Sequence, residues 1–72
     1  MSQDSLPPHD PEAEQAVLGS LLIDGGGMSK IADSLLPVDF FTPENQWVYD
    51  SCLSLHQRNE GIDQITVAHE LA

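Results

Sequence analysis

Basic residues are scarce in this sequence. Lys30 and Arg58 stand against twelve acidic residues, which gives a formal net charge of -10. Nucleic-acid binding usually needs clustered Lys and Arg to neutralise phosphates. We therefore expect no direct contact with nucleic acid and no binding to an anionic membrane. The acidic surface instead favours solubility and basic protein partners.

Cysteine and long apolar runs are also lacking. Cys52 is the only cysteine, so no internal disulfide can form, which fits a reducing compartment. The first ten residues have neither the basic region nor the apolar stretch of a signal peptide. Apolar runs such as residues 21–23 are far too short to cross a bilayer. These absences predict a cytoplasmic location.

The 72 residues allow one domain, and 40% of them are hydrophobic, which suffices for a small core. A chain of this length buries only roughly 60% of the surface that its unfolded form exposes. We therefore expect a neighbouring segment or an oligomer partner to contribute to its stability.

Helix signals begin after a lead-in at residues 1–9, which we expect to be flexible because its polar residues and prolines offer little to bury. Asp10 and Pro11 suit the cap and the first position of a first helix. Apolar residues at helical spacing follow, and the glycines at 25–27 are expected to end this helix. A second helix fits residues 28–35, because Pro37 keeps the residue before it out of helical backbone.

The third helix is predicted over residues 43–59. Thr42 is its cap, Pro43 its first residue and Gly61 the expected stop. Thr66 can cap a fourth helix near the end of the sequence. The pattern predicts an all-α, small compact domain over residues 10–72, with about four helices in view and truncation at the C-terminal end. Its predicted core comprises Val17, Leu21, Ile31, Leu35, Phe40, Val48, Cys52, Leu55 and Val67.

Motifs that could carry chemistry are weak here. The glycine run at residues 25–27 is followed by Met28-Ser29-Lys30, not by the Gly-Lys-Ser/Thr of a phosphate loop. Cys52 and His56 have the i,i+4 spacing of two metal ligands, but no further ligands accompany them. We expect no catalytic residue, no cofactor site and no metal site.

Asp33-Ser34-Leu35 raises an alternative from another class. Acyl carrier proteins are small, acidic and helical, and they attach their cofactor arm to the serine of an Asp-Ser-Leu motif. In carriers that serine opens a long helix, whereas Ser34 falls near the end of a short one. A three-residue motif is weakly specific.

Three aromatic residues are candidates for a protein interface: Trp47, Phe41 and Tyr49. Each helical residue turns by roughly 100°, which places Trp47 toward the polar side of the third helix. Aromatic side chains are enriched in protein contacts. The alternative for Trp47 is a partly buried ring that covers the edge of the core.

Residues 6–24, with the sequence LPPHDPEAEQAVLGSLLID, resemble the N-terminal domain of bacterial DnaB-type replicative DNA helicases. Asp39-Phe40-Phe41, Pro43 and Tyr49 follow at similar spacing, and residues 63–68 are similar to that family's next landmark. The glycine run at residues 25–27 departs from the family pattern and leaves the tilt of the second helix open.

The resemblance implies a function for the parent protein. In such helicases the N-terminal domains form a collar on a hexameric ring, which supports assembly and receives primase and, in some bacteria, a loading factor. The nucleotide-binding motor domain is absent from these residues. ATP and Mg2+, together with DNA unwinding, are therefore implied for the parent. For the chain itself, the resemblance implies a non-catalytic assembly and interaction module.

Overall fold

The first helix, α1, begins where the sequence predicts. The computed structural model describes residues 10–72, so the lead-in predicted to be flexible at residues 1–9 lies outside the described residues. Helix α1 spans Pro11–Ile23, and the Asp10 side chain accepts a hydrogen bond from the Ala13 amide at 3.1 Å. The cap satisfies one of the amides that a helix start leaves without an intrahelical partner.

Asp24, and not the glycine run, ends α1. Its backbone leaves the helical region at φ -136 and ψ 90, and its carboxylate accepts from the Gly26 amide at 3.1 Å. The glycines form a 3-10 turn, Gly25–Gly27, and none of the described glycines has a positive φ. The prediction that glycine stops this helix is therefore wrong, because an aspartate turn performs that role.

Helix α2 is shorter than predicted. It spans Met28–Ile31, and a turn over residues 32–34 follows it. The Ile31 carbonyl accepts from the amides of both Ser34 and Leu35, at 3.0 and 2.9 Å. Leu35 is thereby directed into the core, and Leu36 is extended before Pro37, as residues before proline usually are. Helix α2 thus ends four residues before the predicted position.

Helix α3 spans Pro43–Gln57 and follows a second 3-10 turn, Pro37–Asp39. Thr42 caps it, with the hydroxyl accepting from the Asn45 amide at 3.3 Å. The predicted stop at Gly61 is wrong. Asn59 has φ 58, and the Glu60 amide donates to the Leu55 carbonyl at 2.9 Å. This is a Schellman-type ending in which asparagine takes the left-handed position.

Helix α4 spans Gln64–Leu71 and is capped by Asp63, not by Thr66 as predicted. The Asp63 carboxylate accepts from the amides of Ile65 and Thr66, and the Thr66 hydroxyl accepts from the Asp63 amide. Arg58, at the end of α3, forms an ion pair with Glu70 on α4. Its guanidinium donates two hydrogen bonds to Glu70, at 2.7 and 3.0 Å, and one to Glu60.

The core lies where the four helices meet. All regular secondary structure in residues 10–72 is helical, which confirms the all-α fold. Six of the nine predicted core residues are buried, and Val17, Ile31 and Val48 are partly buried against them. The prediction omitted three apolar residues that are buried as well. The buried apolar set is Leu18, Leu21, Met28, Leu35, Phe40, Tyr49, Cys52, Leu55 and Val67.

Candidate protein interface

Trp47 lies on the outer face of α3. Its side chain is 60% exposed, although Ser51, one turn further on, is buried. The Ser51 hydroxyl donates to the Trp47 carbonyl at 3.0 Å, which satisfies that hydroxyl within the helix. Large exposed aromatics are common anchors of protein contacts. The exposure is compatible with the interface hypothesis, and a role for Trp47 in binding stays a prediction.

Phe40 and Phe41 are adjacent but face opposite ways. Phe40 is 1% exposed, and its ring centroid lies 4.9 Å from that of Tyr49. Phe41 is 58% exposed. Successive side chains alternate between the two sides of an extended backbone, and Phe40 is extended, with φ -86 and ψ 140. The loop between α2 and α3 therefore directs one phenylalanine into the core and the next toward the surface.

Tyr49 does not belong to the exposed set, which corrects its assignment to the candidate interface. It is fully buried, and its hydroxyl donates to the Leu35 carbonyl at 2.7 Å. Burial raises its pKa to about 12, with smaller contributions from Cys52 and Asp39. Tyr49 lies three residues before Cys52, so both side chains turn toward the core on the same side of α3.

Glu14 is a buried residue that the sequence reasoning missed. It is 1% exposed, and its carboxylate accepts two hydrogen bonds. One oxygen accepts from the Phe41 amide at 2.9 Å, and the other accepts from Asn45 Nδ2 at 2.8 Å. Glu14, Leu18 and Leu21 have the i,i+4,i+7 spacing of one helix face. The signal for its burial in the sequence was the position of this carboxylate on the same helix face as the apolar residues.

Exposed apolar side chains are frequent in the segment from residue 36 to residue 47, which we name the connector segment. It contributes Leu36, Val38, Phe41 and Trp47, whose exposed fractions range from 53% to 73%. Among the described residues, the other large exposed apolar side chains are Ile23, Ile65 and Leu71. Large exposed apolar side chains are candidates for protein contact, and this segment supplies four of them.

An open recess of about 390 Å³ lies between α1 and α2. Val17, Leu21, Gly27 and Ile31 supply most of its apolar lining, and Asp24 stands at one side. Val17 and Ile31 were predicted as core residues, and they form part of this open surface instead of being fully covered.

Cys52, the candidate residue with a potentially nucleophilic thiol, lies inside the core. Cys52 is buried, and burial raises the pKa of its thiol to about 11, so the nucleophilic thiolate is disfavoured at neutral pH. Within residues 10–72, no group of three or more His, Cys, Asp or Glu side chains is arranged to hold a metal ion. None of the helices described here has the length and apolar character needed to cross a membrane.

Ser34, the attachment residue of the carrier hypothesis, lies in the turn that follows α2. Its amide donates to the Ile31 carbonyl at 3.0 Å. A carrier serine opens a long helix, and Ser34 instead follows a helix of four residues. The carrier hypothesis therefore has no support from the local structure.

Residues 10–72 form an acidic helical domain with apolar and aromatic side chains on its surface, which suits contact with proteins. The sequence profile of the DnaB-like helicase N terminal domain matches residues 6–72, and the chain belongs to this family. The resemblance of residues 6–24 and 63–68 is thereby confirmed. The chain is a helicase-associated domain.

Relatives from several bacteria share the sequence. The chain is 41% identical over 69 residues to the replicative DNA helicase DnaC of Bacillus subtilis, which covers 96% of this chain and 15% of the relative. It is 43% identical over 65 residues to the replicative DNA helicase DnaB of Mycobacterium leprae, covering 90% and 11% of the two chains. The chain spans only about one seventh of the length of the Bacillus relative. No solved structure gives a significant match.

Proposed function

We propose that this chain is a non-catalytic assembly and protein-interaction module of a replicative DNA helicase. In this proposal it forms part of the collar of a hexameric ring in the cytoplasm, and it docks primase and, in some bacteria, a loading factor. The parent protein unwinds DNA at the replication fork with ATP and Mg2+. The observation that carries the proposal is the exposure of Phe41 and Trp47 on a domain of this family.

The glycine run does not have the local structure of a phosphate loop. The glycine run forms a 3-10 turn that leads directly into the four-residue α2, and Lys30 lies within that helix. A phosphate loop needs a longer glycine-rich loop that ends in Gly-Lys-Ser/Thr at the start of a helix. ATP and Mg2+ therefore belong, in this proposal, to a motor domain of the parent.

Trp47 has enough exposed surface to act as an anchor. A tryptophan side chain contributes up to about 250 Å² of contact area, and 60% of Trp47 is exposed. Covering that exposed part at ~25 cal/mol per Å² corresponds to at most about 4 kcal/mol, before the cost of ordering the partner. This value lies in the range of residues that dominate protein interfaces.

Two measurements test the proposal. Sedimentation equilibrium gives the self-association of the chain, and titration against the C-terminal region of the cognate primase gives the affinity for that partner. Phe41→Ala and Trp47→Ala should weaken at least one of the two by about tenfold or more. The Trp47 side chain is exposed, so the free energy of unfolding of Trp47→Ala should change little.

Ile65→Ala is the matched control. Ile65 is 69% exposed and lies on α4, outside the connector segment. The Ile65→Ala substitution should change neither self-association nor primase binding by more than about twofold, because isolated exposed apolar side chains contribute little to binding. If Phe41→Ala and Trp47→Ala behave like Ile65→Ala in both measurements, the connector segment is not the interface.

A further inference from the structure

Among the acidic residues that the structure describes, Glu14 is unusual because it is almost completely buried. It lies in the first turns of α1, yet its two carboxylate oxygens are directed at the start of α3, 27 and 31 residues away in the sequence. A buried carboxylate is costly unless hydrogen bonds compensate it. Both of its oxygens accept one, so Glu14 has a specific structural role.

That role concerns the backbone at Phe41. The Phe41 amide donates to Glu14 Oε2 at 2.9 Å, and on the preceding residue the Phe40 carbonyl accepts from Gln46 Nε2 at 2.8 Å. The Phe40 ring is held against Tyr49. The peptide between the two phenylalanines is therefore held from both of its ends.

Both hydrogen bonds are made in the register in which Phe40 is buried and Phe41 is exposed. Phe40 and Phe41 have the same side chain, so composition alone does not decide which ring enters the core. In an extended segment a shift of one residue exchanges the two sides. The Glu14 hydrogen bond is available only to the Phe41 amide in the observed register.

We infer that Glu14 is a positioning residue that holds Phe41 outward for contact with a protein partner. The inference rests on the proposed function, because it assigns Phe41 to the interface. Glu14 itself does not reach the surface, so its effect on binding acts through the backbone of Phe41. Asn45, which donates to the second carboxylate oxygen, orients Glu14 for this contact.

The chemistry of residue 14 separates the useful substitutions. Glu14→Gln retains the length, and after reversal of the Asn45 amide it can accept from Phe41 and donate to Asn45. Glu14→Ala can do neither. Glu14→Asp keeps the charge but is one methylene shorter, so it should not reach both donors. The glutamine variant is therefore the conservative rescue, and the other two are the perturbations.

The test combines backbone hydrogen exchange with titration of the same primase C-terminal region. In Glu14→Ala we expect the Phe41 amide to exchange about tenfold faster or more, and primase binding to weaken about tenfold. Glu14→Gln should stay within about threefold of the wild type in both measurements. Val67→Ala serves as the stability control, since Val67 is buried on α4 and should lower stability without weakening binding.

The outcomes are distinct. If Phe41→Ala weakens binding but Glu14→Ala binds like the wild type, the inference is wrong and the proposed interface stands. If Phe41→Ala leaves primase binding unchanged, the inference fails. The proposed interface fails as well only if Phe41→Ala and Trp47→Ala both leave self-association and primase binding unchanged. If Glu14→Ala does not fold, Glu14→Asp takes its place. The inference is then overturned if the Phe41 amide of Glu14→Asp exchanges fast while its binding to primase is unchanged. Weak binding by Glu14→Gln, with a protected Phe41 amide, also overturns it, because charge and not position would then be responsible.

Discussion

Gly25 and Gly19 should respond in opposite directions to the same substitution. A Cβ atom added at Gly25 would lie 2.7 Å from Ile62 Cβ and 2.8 Å from the Ile62 carbonyl oxygen. Non-bonded carbon atoms prefer a separation of about 3.5–4.0 Å. The nearest atoms belong to the backbone and to Cβ, so no side-chain rotation can relieve the overlap. The 3-10 turn must therefore move away from the segment before α4.

The size of the effect follows from two opposing contributions. Gly25 has no positive φ, so alanine fits its backbone conformation and should gain about 0.4–1 kcal/mol by restricting the unfolded chain. Overpacking of this kind typically costs about 1–3 kcal/mol. We expect Gly25→Ala to lower the free energy of unfolding by about 1–2 kcal/mol. For a domain of this size the midpoint temperature should fall by roughly 5–15 °C.

Gly19→Ala is the matched control. Gly19 lies inside α1, and a Cβ at this position would meet nothing within 4 Å. Alanine is favoured over glycine inside a helix by roughly 0.5–1 kcal/mol, so Gly19→Ala should stabilise the chain. Urea denaturation followed by circular dichroism measures both variants. Unchanged stability of Gly25→Ala, or a loss of stability in Gly19→Ala, would refute the contact-based reasoning.

Three further predictions concern the buried groups and the end of α3. Asn59 has φ 58, a backbone conformation that glycine adopts easily and valine does not. In urea denaturation, Asn59→Gly should leave the free energy of unfolding unchanged or raise it. Asn59→Val should lower it by about 1 kcal/mol or more. Tyr49→Phe should cost about 1–3 kcal/mol by the same assay, since the buried Leu35 carbonyl loses its donor. Burial raises the pKa of Tyr49 to about 12 and that of Cys52 to about 11. The stability that their protonated side chains contribute is fully present below pH 9 and should be lost progressively as the pH rises toward 12. A pH series of denaturation curves checks this, and a flat alkaline limb would contradict it.

Helix starts were more predictable from the sequence than helix ends. Asp10 and Thr42 act as caps as predicted, because a cap followed by proline depends only on local chemistry. The ends at Asp24 and Asn59 were missed in favour of nearby glycines. Glycine is the commonest terminating residue, but aspartate and asparagine also form turns and tolerate unusual backbone angles. Which of the neighbouring candidates ends the helix depends on packing that is distant in the sequence.

The candidate site was only partly predictable. Trp47 is exposed, as its position around the helix axis indicates. Tyr49 is buried, and its hydroxyl donates a hydrogen bond to the Leu35 carbonyl. That carbonyl is made available by the turn after Ile31, which the sequence pattern extended as helix. The burial of Glu14 was not predicted, because its long-range partners depend on the arrangement of α1 against α3.

The attachment of Arg58 to Glu60 and Glu70 has a consequence for the effect of salt. One of only two basic side chains is already neutralised within the chain, so the molecule presents a strongly negative field to its surroundings. Copies of the chain then repel one another, and added salt should strengthen their self-association by screening that repulsion. A cationic partner is attracted by the same field, and added salt should weaken its binding and slow its association. Ionic strength thus acts with opposite sign on assembly of like subunits and on recruitment of a basic partner.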